Sequence, residues 1–132
     1  MSRANYSDDL DNWQLIKWRG AVESAMRGKR GQAFLKEMLA AMEALPNPRL
    51  ITRDLIKEGE VCALGAVGRA RNLDMTDLDP EDPDTIAATF NSANAMNREI
   101  VYINDEWDYK ETPEQRYQRM KRWIESYIKD TP

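Results

Sequence analysis

Histidine is absent from this 132-residue chain. Its absence excludes histidine-based triads, imidazole zinc sites and imidazole proton shuttles. A single cysteine, Cys62, excludes an internal disulfide and a thiolate metal cluster within one chain, and it fits a reducing compartment. No apolar run approaches the ~20 residues that a membrane-spanning helix needs. The opening MSRANYSDDL is polar and has no apolar stretch of the kind found in secretory signals. The net charge of -4 is too mild for a broadly basic nucleic-acid coat and too small for strong mimicry of DNA charge.

What is present is the balance of a globular domain: 42% hydrophobic and 32% charged residues. Periodicity predicts a mainly α fold, α+β at most. The expected form is a compact bundle of five to six helices with a small β-hairpin near residues 49–61. It forms one domain over 1–132, with residues 1–8 expected as a flexible terminus. A first helix is predicted from Asp9 to Arg27, with Leu15, Trp18, Val22 and Met26 on one face and Trp13 and Ile16 widening it. Gly28-Lys29-Arg30-Gly31 predicts a turn. A second helix, from Gln32 to Leu45, would pack antiparallel to the first. Arg49–Thr52 and Leu55–Val61 read as β pieces around a Glu58-Gly59 turn. A small-residue helix from Cys62 to Arg71 is expected at the centre, because glycines inside a helix imply close backbone packing. Asp79-Pro80 reads as the start of a short helix ending near Phe90. Asn91 suits a left-handed position, and Ser92 would cap a helix from Ala93 to Ile103. Thr112-Pro113-Glu114-Gln115 is a capping box opening the last helix, whose apolar face is Tyr117, Met120, Ile124, Tyr127 and Ile128.

Charge is segregated. Lys17, Arg19, Arg27, Lys29, Arg30 and Lys36 crowd one segment; Asp74, Asp77, Asp79, Glu81, Asp82 and Asp84 crowd another. Solvated faces account for both, and a dipolar surface that steers a charged partner is the sharper alternative. Asp77, Asp79 and Glu81 have the alternation of a calcium loop. However, Asp82 stands where such a loop needs glycine, and Ala88 where it needs glutamate, so no metal is expected. Cys62, in Val-Cys-Ala-Leu, reads as a small core residue. Asp84–Ile103 has features of a helix-turn-helix, with Asn94, Asn97 and Arg98 as its candidate reading residues. Against it stand Ser92 and Asn97 at usually apolar positions, and the acidic run just before it. Trp107 and Tyr109, in the loop before the last helix, are the aromatic candidates for a binding surface.

Glu60-Val61-Cys62-Ala63-Leu64-Gly65-Ala66, followed by Asn104-Asp105 and Thr112-Pro113-Glu114, resembles small uncharacterised proteins of tailed phages and prophages. Arg27–Leu45 is also similar to them, so the resemblance extends over most of the chain. It implies an accessory phage protein in the bacterial cytoplasm, and it brings no activity, cofactor or functional residue with it. Physically, Asn104 or Asp105 is expected to accept the free amides at the start of the Cys62 helix, an architectural clasp of Cys62, Asn104 and Asp105. The expected function is non-enzymatic binding of a host protein, for example a component of bacterial defence, through Trp107, Tyr109, Arg27, Lys29 and Arg30. The alternative is nucleic-acid binding by residues 84–103. The methionine-rich faces (Met26, Met38, Met42, Met120) suit a homodimer interface as well as a monomer core, with a slight lean to the homodimer.

Overall fold

The computed structural model describes residues 12–128; the expectations for residues 1–8 and for the start of the first helix at Asp9 lie outside them. Among the described residues are six helices and one two-stranded hairpin. In chain order they are α1 (Asn12–Arg27), α2 (Lys29–Glu43), β1 (Ile56–Lys57), β2 (Glu60–Val61), α3 (Ala63–Ala70), α4 (Pro83–Phe90), α5 (Asn94–Asp105) and α6 (Pro113–Tyr127). The fold is mainly α with a small β element.

The core covers α1 only from Trp18 onward. Val22 and Met26 are fully buried, whereas Trp13 and Ile16 stay 64% and 63% exposed and do not widen the stripe as expected. The break after α1 is also narrower than predicted. Only Gly28 interrupts the two helices, so Lys29, Arg30 and Gly31 form the first turn of α2. The Gln32 amide secures this corner by donating to the carbonyls of Met26 and Tyr127, each at 2.8 Å. It thereby satisfies two carbonyls at helix ends. On α2, Phe34, Leu35, Met38, Ala41 and Met42 are buried. Met26, Met38, Met42 and Met120 are all fully buried within one chain, so the methionine faces form a monomer core and give no support to a homodimer.

In the hairpin, Ile56 pairs with Val61 and Lys57 with Glu60. Its turn residues, Glu58 and Gly59, both have positive φ (53° and 81°), which suits the right-handed twist of a tight hairpin. Arg49–Thr52 is no strand among the described residues. It runs alongside instead, with Leu50 N–H donating to Pro113 and Ile51 N–H to Val61.

Helix α3 is the centre, buried from Ala63 to Gly68. Helix α4 begins later than predicted. Asp82, not Asp79, is its N-cap, with Pro83 at the first position. Two Asp-Pro pairs three residues apart offer the same start signal. The second carries the helix whose Ile86 and Phe90 are buried. Asp79 instead accepts the Glu81 amide at 2.9 Å in a local turn. Asn91 is left-handed (φ 52°, ψ 51°), as expected. Ser92 does not cap α5; Ala93 holds that position, and the Ser92 hydroxyl donates to buried Asn97 at 2.7 Å. The capping box of α6 is present, with Tyr117, Met120 and Ile124 buried below it.

Of the two acceptors expected at the start of α3, Asn104 makes the bond. Its Oδ1 accepts the Ala63 amide at 3.1 Å, its Nδ2 donates to Ile51 O at 2.9 Å, and the side chain is fully buried. Cys62 Sγ accepts the Gly65 amide at 3.3 Å. Asp105 stands one step out, accepting the Asn104 Nδ2 and the Arg53 amide. Asn104→Ala leaves a buried amide and a part-buried carbonyl unmatched. It is expected to cost about 2–3 kcal/mol in urea unfolding, more than the ~1 kcal/mol of a lost exposed cap, which is the scale for Asp105→Ala. An Asn104→Ala loss below that of Asp105→Ala would refute this ordering.

Candidate partner-binding surface

The segment between α5 and α6 is short and polar, and it turns through successive local hydrogen bonds. Glu106 N–H reaches Ile103 O, Asp108 N–H reaches Asp105 O, and Lys110 N–H reaches Trp107 O. Two arginines of α6 hold it in place. Arg116 and Arg119 are three residues apart, hence neighbours on one helix face. The Arg116 side chain is 3% exposed. Its Nη1 donates to Leu50 O at 2.9 Å, and its Nη2 to Asp108 O and Glu111 O, each at 3.2 Å. Its Nε lies 3.5 Å from the Glu111 carboxylate. Arg119 grips Glu111 through two nitrogens at 2.7 and 3.0 Å. It also covers the carbonyls of Ile103 and Asn104 at the C-terminus of α5, where a cation suits the helix dipole.

From the other side, Asp108 accepts the Thr52 hydroxyl and pairs with Arg53 at 2.5 Å. Burial would raise the Asp108 carboxyl. The Thr52 bond and the guanidinium groups of Arg53 and Arg116 together outweigh it and hold the carboxyl below its ordinary range. For Arg116, burial pulls the guanidinium pKa down despite Glu111 and Asp108 beside it. It remains a cation, as arginine does in proteins.

This anchored loop presents two aromatic side chains to solvent: Trp107, 46% exposed, and Tyr109, 86% exposed. Each lines a groove. Trp107 borders one of about 630 Å³ against α6, which reaches Lys110, Gln118 and Arg122. Tyr109 borders one of about 500 Å³ against the hairpin, which reaches Arg53, Lys57 and Glu58.

The basic candidates lie elsewhere. Lys29 and Arg30 line a small cleft with Ser92 and Ala93, just before the N-terminus of α5, whereas Trp107 follows its C-terminus. Twelve residues of helix put the two places roughly 18 Å apart. Arg27 pairs with Glu23 at 3.0 Å, and Arg30 donates to Asn91 at 3.1 Å. The five expected contact residues therefore do not form one surface.

The nucleic-acid residues are largely engaged. Asn94 donates to Asp84 at 2.7 Å, Asn97 is buried beside Ser92, and the Arg98 guanidinium lies 4.2 Å over the Trp18 ring. Arg19 of α1 meets buried Glu99 of α5 at 2.8 Å. Helix α1 thus covers the face of α5 that carries Arg98 and Glu99. The acidic run serves as local caps. Asp74 is held below the ordinary carboxylate range by Thr76, and Asp82 by Thr85. Among the described residues, no group of three or more acidic or cysteine side chains is placed to hold a metal. No described helix is long and apolar enough to cross a membrane.

Arg116, Arg119, Asp108 and Glu111 were not singled out from the sequence. One signal was available for the first of them. Arg116, Met120 and Ile124 are spaced four apart, so an arginine occupies the apolar stripe of α6. Compared with models of known protein families, with curated proteins and with solved structures, the chain matches none.

Proposed function

We propose that this protein is a non-enzymatic binding protein that docks another protein through Trp107 and Tyr109. The observation that carries this reading is the pairing of a two-arginine anchor with two exposed aromatic side chains on one loop. Aromatic residues dominate interface energetics, and a loop already held in place has less freedom to lose on binding. The phage resemblance supplies the setting: an accessory protein in the bacterial cytoplasm acting on a host protein, such as a component of bacterial defence.

The test is affinity capture from bacterial lysate with the tagged protein, with and without nuclease, read by mass spectrometry. One stoichiometric host protein that survives nuclease is expected. The Trp107→Ala, Tyr109→Ala double variant should lose it, with a drop in affinity of about 100-fold or more. Its unfolding free energy should fall by no more than about 2 kcal/mol, because Tyr109 is largely exposed and only about half of the Trp107 surface is covered. Full capture by the double variant, or capture that disappears with nuclease, refutes the reading.

A further inference from the structure

We infer that the groove between the Trp107 loop and α6 takes an acidic segment of the partner protein, one that also brings an apolar side chain onto Trp107. This rests on the docking role proposed for the loop. Charge bookkeeping on the groove walls points to it. The walls hold two carboxylates and three cations. Glu111 is gripped by Arg119 at 2.7 and 3.0 Å, which uses both groups. Glu114 lies 3.4 Å from Arg49. Lys110 and Arg122 remain, both exposed and with no ion pair among the described residues. The Lys110 ammonium stands 5.8 Å over the Tyr109 ring, a contact that brings no opposite formal charge to it.

Two cations outside any ion pair among the described residues thus share the groove of a half-exposed indole, on a chain whose net charge is -4. The complement is a segment with carboxylates set around an aliphatic or aromatic residue. Glu114 to Arg122 is eight residues along α6, a rise of ~12 Å, which about four extended residues or two helical turns would span. A single nucleic-acid strand also offers negative charge and stacking bases. Its unbroken row of phosphates would pass the exposed Glu106 carboxylate, whereas a peptide places its acids selectively.

The experiment is selection of a displayed random peptide library on the full chain, followed by fluorescence-anisotropy titration of the enriched peptides. Enriched sequences should carry several Asp or Glu residues next to an aromatic or aliphatic one. Lys110→Glu with Arg122→Glu should weaken them by about tenfold or more, and the effect should shrink at high salt. Lys29→Glu with Arg30→Glu should leave them unchanged. Absence of enrichment, peptides without acidic bias, unchanged affinity in the first double variant, or displacement by an oligothymidine strand overturns the inference. Host-protein capture separates the two claims. If Trp107→Ala abolishes capture and the charge reversal does not, the acidic segment is wrong and the aromatic loop stands. If Trp107→Ala leaves capture intact, the loop reading falls as well.

Discussion

Arg116→Met is expected to destabilise the protein by about 3–5 kcal/mol, the scale for removing one partner of a buried charged cluster. Methionine fills much of the volume of the arginine stem, so the loss isolates the polar head. That head satisfies the carbonyls of Leu50, Asp108 and Glu111, and it stands beside the Glu111 carboxylate. Removing it orphans three carbonyls that belong to two different loops, and Arg119 alone must then hold Glu111. Arg116→Lys keeps a cation but reaches at most a subset of the three carbonyls, since an ammonium lacks the planar fork. It should fall between the parent and Arg116→Met. Urea unfolding gives the ranking. Hydrogen exchange locates the effect, with the amides of 105–112 losing protection before those of α3. A loss under 1 kcal/mol for Arg116→Met would mean that the loop is held by its neighbours and not by this side chain. The preorganisation on which the docking proposal relies would then be weaker.

How far the fold was legible follows from which signals were local. The capping box at Thr112, the Glu58-Gly59 turn and the left-handed Asn91 were readable because each depends on a few adjacent residues. Asp79 and Asp82 show where local chemistry is degenerate. Both precede a proline, and only tertiary burial of Ile86 and Phe90 selects the second. Trp13 and Ile16 fit the helical period of α1 but lie beyond the reach of the core, which periodicity alone does not reveal. The Asn104 clasp was half legible: the need for an acceptor at the α3 N-terminus was visible, the choice between adjacent Asn104 and Asp105 was not. On the candidate surface, exposure of Trp107 and Tyr109 followed from their place in a polar loop. The arginines beneath them did not, because their acceptors are backbone carbonyls far apart in sequence (Leu50 for Arg116, Ile103 for Arg119), and carbonyls carry no residue signature.

Alanine substitutions at the helix glycines are expected to act with opposite signs, set by what surrounds each one. A methyl group at Gly65 would sit 2.0 Å from the Leu55 carbonyl oxygen and 2.9 Å from its carbon. That oxygen already accepts the Cys62 amide at 3.2 Å. Leu55 cannot retreat without loosening that bond and displacing Ile56, the first residue of the hairpin. Gly65→Ala is therefore expected to cost about 3–5 kcal/mol, combining backbone overpacking with a lost hydrogen bond. At Gly68 the obstacle is the Met75 side chain, with Sδ at 2.3 Å. A thioether can rotate away, so Gly68→Ala should cost less, about 1–2 kcal/mol. At Gly20 nothing lies within 4 Å. There the alanine gains helix propensity without a clash, and Gly20→Ala should stabilise by about 0.5–1 kcal/mol. All three glycines lie inside helices, where propensity alone would favour alanine at each. Only the proximity of other backbone or side chains reverses the sign at Gly65 and Gly68. Urea unfolding of the three variants side by side decides the matter. A Gly65→Ala protein within 1 kcal/mol of the parent would show that α3 does not pack on the Leu55 backbone as described. A destabilised Gly20→Ala protein would show that the exposed face of α1 is covered in solution.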